Sequence, residues 1–283
     1  MCFLLLNQRG TAQMAYEMTV KTGLASDYFS WNIAGDINGN NPNVFSELVW
    51  ENVLGFQAEH NLRVTYREKI SFQLTGAKTL FFTGKVTDTD FASDNRQDVV
   101  FFEELQADGS KSHLIGISGG YTLLHKKNWI ITQYAGFRYS DHRYRIIDSD
   151  IVDLDSEYHA RWIGFFSQTG VYWKFNNKLR FSGNFIYEQL DYSAEARWNL
   201  IEIFRQPLSF DHRAKGYGIS GSLLCSLNIF KNFDLGLEVR RHKRTTGAGI
   251  ENLYLVDGPT LKTKVNKAMS KRSAMLLVLH YRL

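Results

Sequence analysis

Residues 233–239 read FDLGLEV, a stretch in which apolar side chains alternate with small or acidic ones. Neighbouring residues of a β-strand point to opposite faces, so this alternation predicts a strand with one apolar face and one polar face. The same period of two recurs in other stretches, which are residues 48–57, 115–123, 179–187 and 217–229. Repeated alternation, in a chain of 283 residues with only 3 prolines, predicts an all-β protein.

The predicted strands are long, and the connections between them differ in length. We predict ten strands, at residues 16–34, 45–60, 66–87, 111–125, 128–147, 159–175, 179–197, 212–230, 233–246 and 271–283. Short turns are predicted at residues 125–128, 176–178 and 231–232, and long polar loops at 88–109, 148–158, 199–207 and 245–270. Short turns at one end and long loops at the other are typical of outer-membrane barrels. The sequence therefore predicts a ten-stranded antiparallel transmembrane β-barrel in a bacterial outer membrane.

Composition narrows the class of protein without deciding between a barrel and a soluble β-sandwich. No stretch approaches the roughly 20 consecutive apolar residues of a membrane-spanning helix, so a helical membrane protein is excluded. The mean hydropathy of -0.28 suits a barrel wall, whose residues face lipid and lumen in turn. The 20 Phe, 14 Tyr and 6 Trp residues fit the aromatic girdles of such a wall, although a large soluble sandwich would share this bias.

The net charge of +4 is modest, but basic residues concentrate in residues 240–244 and 262–272. The simpler interpretation is solvated loops, and the alternative is contact with phosphate groups of anionic lipids, chiefly lipopolysaccharide. No nucleic-acid-binding module accompanies these clusters, so no nucleic-acid partner is expected. The two cysteines, Cys2 and Cys225, predict neither a disulfide framework nor a metal site.

Both ends of the chain carry signals of their own. Residues 2–6 are apolar but have no basic segment before them, so we expect residues 1–14 to be the remnant of a signal peptide or a disordered segment. Residues 15–283 are predicted to form a single barrel domain. The last strand carries apolar residues on one face up to the final residue, at Met275, Leu277, Leu279, Tyr281 and Leu283. This resembles the terminal signal of outer-membrane barrels, in which the last strand pairs with the first.

The second strand carries a prediction about which side chains share a face. Leu48, Trp50, Leu54 and Phe56 lie at even spacing, so we expect all four on one face of the strand.

An ordered set of stretches carries a family resemblance over about residues 45 to 200. The stretches are Ser46–Trp50, the run from Ile70 through Gly76 and Leu80 to Asp88-Thr89-Asp90-Phe91, Gly136-Phe137 followed by Arg143-Tyr144, and Gly183–Tyr187. Together they resemble the omptins, which are ten-stranded outer-membrane endoproteases. The resemblance implies an omptin-like barrel, cleavage near basic residues, and an active site at the mouth of the barrel.

In the omptins a pair of aspartates and an Asp-x-His pair across the cleft hold the catalytic water. Asp88 and Asp90 match the first pair, and their spacing of two places both carboxylates on one strand face. Strict alternation from Phe72 turns that face outward. A bulge is therefore needed to turn both aspartates inward, and we expect it near Gly84.

The Asp-x-His pair has no match, because Arg197 and Asn199 occupy its positions. His212 is the remaining candidate for the general base, but adjacent strand residues point to opposite faces, so Asp211 and His212 cannot copy an Asp-x-His pair. Glu195 is the candidate for binding a basic substrate side chain. Loss of a general base typically costs about 10²–10⁴-fold in rate, which places the protease activity in doubt.

Three functions remain open for this barrel. The first is a non-catalytic or weakly active surface barrel that uses its outer loops for adhesion to a host ligand. The second is an omptin-type aspartyl endopeptidase acting on polypeptides, and the third is a small-solute pore, although side chains nearly fill barrels of about eight strands. Lipopolysaccharide is the expected lipid partner, contacted by Arg143 and able to act as an activating lipid. No other cofactor is expected.

Overall fold

The structure, a computed structural model, describes residues 14–282 and consists almost entirely of antiparallel β-strands. The strands are β1 (Met14–Ile33), β2 (Ser46–Tyr66), β3 (Ile70–Ser93), β4 (Gln97–Gln106), β5 (Lys111–Lys126), β6 (Trp129–Ile146), β7 (Ser156–Lys174), β8 (Leu179–Arg197), β9 (Phe210–Phe230), β10 (Phe233–Leu253) and β11 (Leu261–Arg282). Over these residues, no helix is long and apolar enough to cross a membrane.

Ten of the strands close into a ring, which confirms the predicted ten-stranded antiparallel barrel. Each strand pairs with its neighbours in chain order, and the pairing of β1 with β11, from Glu17 opposite Arg282 to Ile33 opposite Val265, closes the ring. The predicted pairing of the last strand with the first is therefore confirmed. β4 stands outside the ring and forms a hairpin with the upper part of β3.

Two of the predicted long loops are mostly strand. Residues 88–109 contain the hairpin, in which β3 continues to Ser93 and β4 returns along it. Residues 245–270 belong largely to β10 and β11, with residues 254–260 connecting them. Both predictions were wrong because the strands continue past the part of the wall that needs an apolar outer face. Without that face the hydropathy alternation weakens and a strand looks like a polar loop.

An apolar band encircles the outer wall and begins at the short turns. The outward side chains there are exposed and apolar, for example Leu235, Leu237, Val239, Met275, Leu277 and Leu279. Aromatic rings mark the lower edge of the band, where Trp129 stacks on Trp173 at 5.2 Å between ring centroids and Phe233 lies 4.5 Å from Tyr281. An apolar band of this kind, with aromatic rings at its edge, is stable only against lipid. The end with the short turns is therefore the periplasmic end, and the long loops are extracellular.

Paired bulges in β2 and β3 change which residues face inward. Glu51 lies opposite Lys85 and Leu54 lies opposite Thr83, so β2 has one residue more than β3 in this interval, and Asn52 there has a φ of 53°. Directly below this interval the difference is reversed, because β3 has one residue more than β2, namely Phe82. Because alternation reverses across a bulge, each strand changes face at this height.

Because of this reversal, the prediction that four apolar residues of the second strand share one face was wrong. Leu48 and Trp50 point inward and are buried, whereas Leu54 and Phe56 lie below the bulge and point outward into the apolar band. The four residues do not share a face.

The expectations for residues 1–13, including Cys2, and for Leu283 lie outside the described residues. Met14 already belongs to β1, and Cys225 is exposed on the outer face of β9 as a free thiol.

Candidate functional site: the interior and extracellular mouth of the barrel

Asp88 and Asp90 lie on the inner face of β3, because the bulge at Phe82 reverses the alternation below them. Val86, two residues before Asp88, is buried inside the wall, which fixes the direction of that face. Inward-facing aspartates require a bulge in β3, which we expected near Gly84. The bulge lies at Phe82, two residues away. The wider bulge on β2 lies directly opposite Gly84.

A third carboxyl group joins the two aspartates. Glu103 of β4 lies directly opposite Asp88 in the hairpin, and side chains of directly opposite residues share a face. Burial, together with the nearby charges of Asp90 and Glu103, raises the pKa of Asp88 to about 7. Burial also raises the pKa of Asp90, against a hydrogen bond from Ser46 that lowers it. The raised pKa favours the protonated form of the Asp88 carboxyl group, which can donate as well as accept a hydrogen bond.

A cluster of buried apolar and aromatic side chains fills the barrel at the height of these aspartates. This mouth core draws on nearly every strand of the ring, and its largest fully buried members are Phe29, Leu48, Trp50, Tyr144, Tyr158 and Trp162. Phe29 stacks on Tyr144 at 4.6 Å between ring centroids and lies 5.6 Å from both Trp50 and Tyr158. The rings thus form a continuous layer across the inside of the barrel.

His212 lies inside the wall on the far side of the mouth core. β9 stands five strands from β3 in either direction around the ring, so His212 and the aspartates belong to opposite walls. The His212 side chain is fully buried, its Nδ1 lies 2.7 Å from the hydroxyl of Tyr158, and its ring meets Trp31 edge-on at 4.9 Å. Its Nε2 lies 3.6 Å from a carboxylate oxygen of Glu251. The imidazole is therefore held within the core by the hydroxyl of Tyr158 and the ring of Trp31.

The residues around His212 follow strand alternation. Asp211 points away from the lumen and accepts hydrogen bonds from Asn252 and from the hydroxyl of Tyr254. Arg197 binds Asp155 at 2.9 Å, and Asn199 accepts a hydrogen bond from the backbone N–H of Asp155 at 3.0 Å. Arg197 and Asn199, which stand at the omptin Asp-x-His positions, thus hold the extracellular loop between β6 and β7.

Glu195 and Arg143 both point outward, above the apolar band. Glu195 forms a two-point ion pair with Arg161 of β7, with both N–O distances at 2.9 Å, and that hydrogen bonding lowers the pKa of the Glu195 carboxyl group. Arg143 lies 4.0 Å from Asp141, beside His159 on the neighbouring strand. The structure does not bring Glu195 together with Asp88 and Asp90, because Glu195 faces the outside of the wall.

Below the mouth core the lumen is polar and crossed by ion pairs. The fully buried Glu188 accepts hydrogen bonds from Arg138 at 2.7 Å and Arg244 at 2.9 Å, and lies 2.9 Å from His242. Four further carboxylates are paired in the same way. The ion pairs are Asp27 with Arg272, Glu59 and Glu238 with Lys21 and Arg240, and Asp234 with Arg180 and Arg282. Buried charges are tolerated when they are paired like this.

A cavity of about 370 Å³ remains within this polar part of the lumen. Its lining runs from Glu17 and Tyr172 near the periplasmic rim up to His242 and Arg272. The guanidinium of Arg272 lies 5.5 Å from the ring of Phe81, a member of the mouth core, so the polar cavity ends where the aromatic layer begins.

Residues 19–282 match the family described as Pom, Protochlamydia outer membrane protein. The chain belongs to this family. The match covers all ten strands of the ring, and it agrees with the apolar band and the barrel closure in placing this member of the Pom family in a bacterial outer membrane. No curated protein matches the sequence.

Among solved structures, the barrel of this Pom family member is similar to the outer membrane protease OmpT from Escherichia coli, with a TM-score of 0.75 and 13% sequence identity, covering 97% of this chain and 99% of that chain. This confirms the predicted omptin-like fold, and at 13% identity it carries the fold alone. Two further similar structures are OprG from Pseudomonas aeruginosa (TM-score 0.40, 10% identity, coverage 94% and 95%) and the translocator domain of NalP from Neisseria meningitidis (TM-score 0.41, 10% identity, coverage 98% and 91%).

The groups that surround His212 were not predicted from the sequence. Tyr158 was predicted at the end of a loop and Glu251 within one, yet both point into the mouth core beside His212. Alternating large apolar residues at Phe29, Trp31 and Ile33 were the available signal, because such bulk on the lumen face predicts a filled barrel.

Proposed function

We propose that this Pom family barrel is a non-catalytic surface protein whose extracellular half is a filled, rigid support for its outer loops. The observation that carries the proposal is the mouth core. A protease cleft at this height needs space for a polypeptide and a water beside the general base. Here, packed rings of Phe29, Trp50 and Tyr158 fill that space.

The position of His212 supports the same conclusion. A general base must lie within hydrogen-bond reach of the water that it deprotonates, directly or through one further water. Nδ1 of His212 is already engaged by Tyr158, and Trp31 covers the ring. Asp88 and Asp90 then act as a half-buried acidic pair whose ionisation destabilises the barrel as pH rises.

The extracellular loops support a role in surface contact. Outside the apolar band, large apolar side chains stand in solvent on the hairpin and on three loops, and the most exposed are Val152, Ile203, Val100, Phe102 and Val256. Exposed apolar groups that gather on one end of a molecule mark a contact surface for another macromolecule. We infer that this rim binds a protein ligand outside the cell.

A test of adhesion uses a Gram-negative laboratory strain that displays the barrel. Adherence to cultured eukaryotic cells is expected to exceed that of the empty strain, and to fall several-fold when Val152, Ile203 and Val256 are changed to Ser. A matched control changes Leu200 to Ser, an apolar loop residue that is less exposed than those three. Adherence no greater than that of the empty strain, or equal adherence of the triple variant, would contradict the proposal.

A test of catalysis uses the refolded barrel and dibasic peptides, with and without lipopolysaccharide. No cleavage is expected under either condition. Cleavage that disappears in Asp88→Ala, Asp90→Ala and His212→Ala variants would instead establish the endopeptidase. Cleavage that survives in all three would point to a contaminating protease and would leave the non-catalytic proposal standing.

A second candidate function is the passage of small solutes, which the polar cavity of about 370 Å³ favours. Passage would require the mouth core to open, because the cavity reaches upward only to the level of Arg272 and His242. Conductance across a planar lipid bilayer distinguishes the two functions, since a pore conducts ions and a closed barrel does not.

A further inference from the structure

The outer edge of β4 has no strand beside it within residues 14–282. β4 stands at the end of the sheet order and pairs with β3 alone. At its lower end, Gln106 also bonds on the other side, where its N–H and C=O each form a 2.9 Å hydrogen bond with the backbone of Ile147. From Gln97 to Leu105 the strand therefore has an open edge, which stands above the membrane.

The lower end of β4 fixes which backbone groups the open edge carries. Residues of an antiparallel strand direct their N–H and C=O groups to alternate sides. Odd-numbered residues face β3, as the bond from the N–H of Ala107 to the C=O of Gly84 shows, and even-numbered residues face the open edge. This alternation holds up to Phe101, above which β4 has one residue more than β3. Glu104 and Phe102 therefore direct their N–H and C=O groups toward the open edge.

The side chains along the open edge are apolar and acidic. Residues 99–102 are Val-Val-Phe-Phe, and all four are exposed. Glu103, the next residue, shares a face with Asp88, and among the described residues no basic group forms an ion pair with either of them, whereas Glu104 on the other face is bonded to Lys85 at 2.5 Å. An exposed apolar edge strand is a ready template for pairing with another chain.

The sequence after β6 explains why the chain does not cover this edge itself. A continuation of β6 in the register set by Gln106 would place Asp150 directly opposite Glu103. Like charges in that relation destabilise a sheet. The chain turns away instead, and the backbone N–H of Asp150 bonds to the carboxylate of Asp148 at 2.8 Å. Acidic charge thus keeps the edge open, and a strand with a basic residue at the same position would be attracted to it.

A second copy of this chain does not fit the open edge. Two identical edge strands joined across a twofold axis run antiparallel, whereas copies inserted in one membrane all have β4 running from the extracellular tip toward the bilayer. Charge disfavours the pairing as well. The antiparallel register that aligns the four apolar residues of both copies also places Asp98 of one copy opposite Glu103 of the other.

We propose that the open edge of β4 binds an extended segment of another polypeptide as an added antiparallel strand, with a lysine or arginine opposite Glu103 and apolar residues opposite Phe102 and Phe101. The backbone of the segment bonds to the free N–H and C=O groups of Glu104 and Phe102. Its basic side chain lies beside Glu103 and Asp88. In chain order, the segment has a basic residue followed by two apolar residues. This inference rests on the surface-contact role proposed above and names the kind of partner that the hairpin takes.

The test measures the binding of two dye-labelled synthetic peptides to the refolded barrel in detergent by fluorescence anisotropy. The peptides, TKVVTT and TEVVTT, differ only in the charge of the residue placed opposite Glu103. The wild type is expected to bind the lysine peptide about tenfold more tightly, as one charge-assisted hydrogen bond predicts. Glu103→Gln should abolish this preference. Glu104→Gln is the matched control and should preserve it, because Glu104 is already paired with Lys85 on the other face.

Hydrogen exchange shows whether the peptide joins the sheet as a strand. Exchange of the amides of Glu104 and Phe102 should slow at least about tenfold when the lysine peptide is bound, because both N–H groups become hydrogen-bonded. Phe102→Pro removes one donor from the open edge but none from the ladder with β3, and should weaken binding about fivefold. Phe102→Val keeps the donor and should bind more tightly than the proline variant. A peptide with proline in place of its first valine serves if Phe102→Pro does not fold.

Three results would overturn the proposal. They are no binding of the lysine peptide at about 1 mM, equal affinity of the wild type for both peptides, and binding that leaves exchange at Glu104 and Phe102 unchanged. Dimerisation that Phe102→Pro abolishes, measured by sedimentation without peptide, would show that the edge pairs with a second copy instead.

Peptide binding and cell adherence are independent measurements. Adherence of displayed cells without peptide binding would overturn strand addition alone. Peptide binding without adherence would overturn only the adhesive role of the loops.

Discussion

Asp88 brings three carboxyl groups together at the mouth of the barrel, since Glu103 lies opposite it and Asp90 follows two residues later on the same face. Burial, together with the neighbouring charges of Asp90 and Glu103, raises the pKa of Asp88 to about 7. The folded protein therefore holds this proton more tightly than the unfolded chain, whose Asp88 has its ordinary pKa of 3.8. Between those two pH values the wild type loses stability as pH rises, because the unfolded carboxyl group ionises first.

Asp88→Asn removes this titration and is expected to stabilise the barrel above pH 7 by about 1–3 kcal/mol, allowing for partial exposure and coupling to the other acids. The measurement is urea-induced unfolding in lipid vesicles at pH 5 and pH 8, followed by tryptophan fluorescence. Asp257→Asn, in an exposed loop, is the control and should have no such effect. An equal change for Asp88→Asn at both pH values would contradict the assignment.

Individual residues of the mouth were predicted from sequence only in part. Asp88 and Asp90 were selected correctly as a pair on one face, because a spacing of two fixes that relation in any strand. The surroundings of His212 were not predicted, since Tyr158 lies on β7, a strand distant in sequence, and Glu251 fell within the predicted loop at residues 245–270.

At the scale of the strand, bulges determine which side chains point into the barrel. The extra residue on β2 and the extra residue on β3 turn Trp50 and Val86 inward above them, while Leu54 remains in the apolar band below. Asn52 in the first bulge adopts a φ of 53°, in the left-handed region that β-branched residues avoid.

Asn52→Val should therefore destabilise the barrel by about 1–2 kcal/mol, whereas Asn52→Gly should be neutral or stabilising. The comparison uses the same urea unfolding, with the temperature at which the heat-modifiable band is lost on a gel as a second readout. A valine variant as stable as the glycine variant would show that the bulge does not hold this conformation.

Most strand boundaries near the membrane were predictable, and those beyond it were not. The exception is the turn between β2 and β3, because β2 continues to Tyr66 whereas the predicted second strand ended at residue 60. The turns after β5, β7 and β9 lie where hydropathy alternation ends, as predicted. β4 and the upper parts of β10 and β11 escaped prediction, because they lack the apolar outer face of the membrane band, and no residue of β4 is fully buried on either face.

The whole molecule is a barrel of two contrasting interiors. The lower lumen holds paired charges and a cavity of about 370 Å³, and the upper lumen is a core of packed rings. The barrel class and its ten strands followed from period-two alternation, loop asymmetry and strand count. The filled mouth did not, because a core assembled from single inward residues on nearly all strands becomes evident only when the ring is closed.

The mouth core closes the barrel, so the decisive measurement is ion conductance across a planar bilayer. The wild type is expected to give no conductance steps at 100 mV. A variant with Phe29, Trp50 and Tyr158 changed to Ala, which removes three rings from the core, should give measurable steps if it folds. Stable, ohmic steps from the wild type would show that the mouth core leaves the barrel open and would establish the small-solute pore.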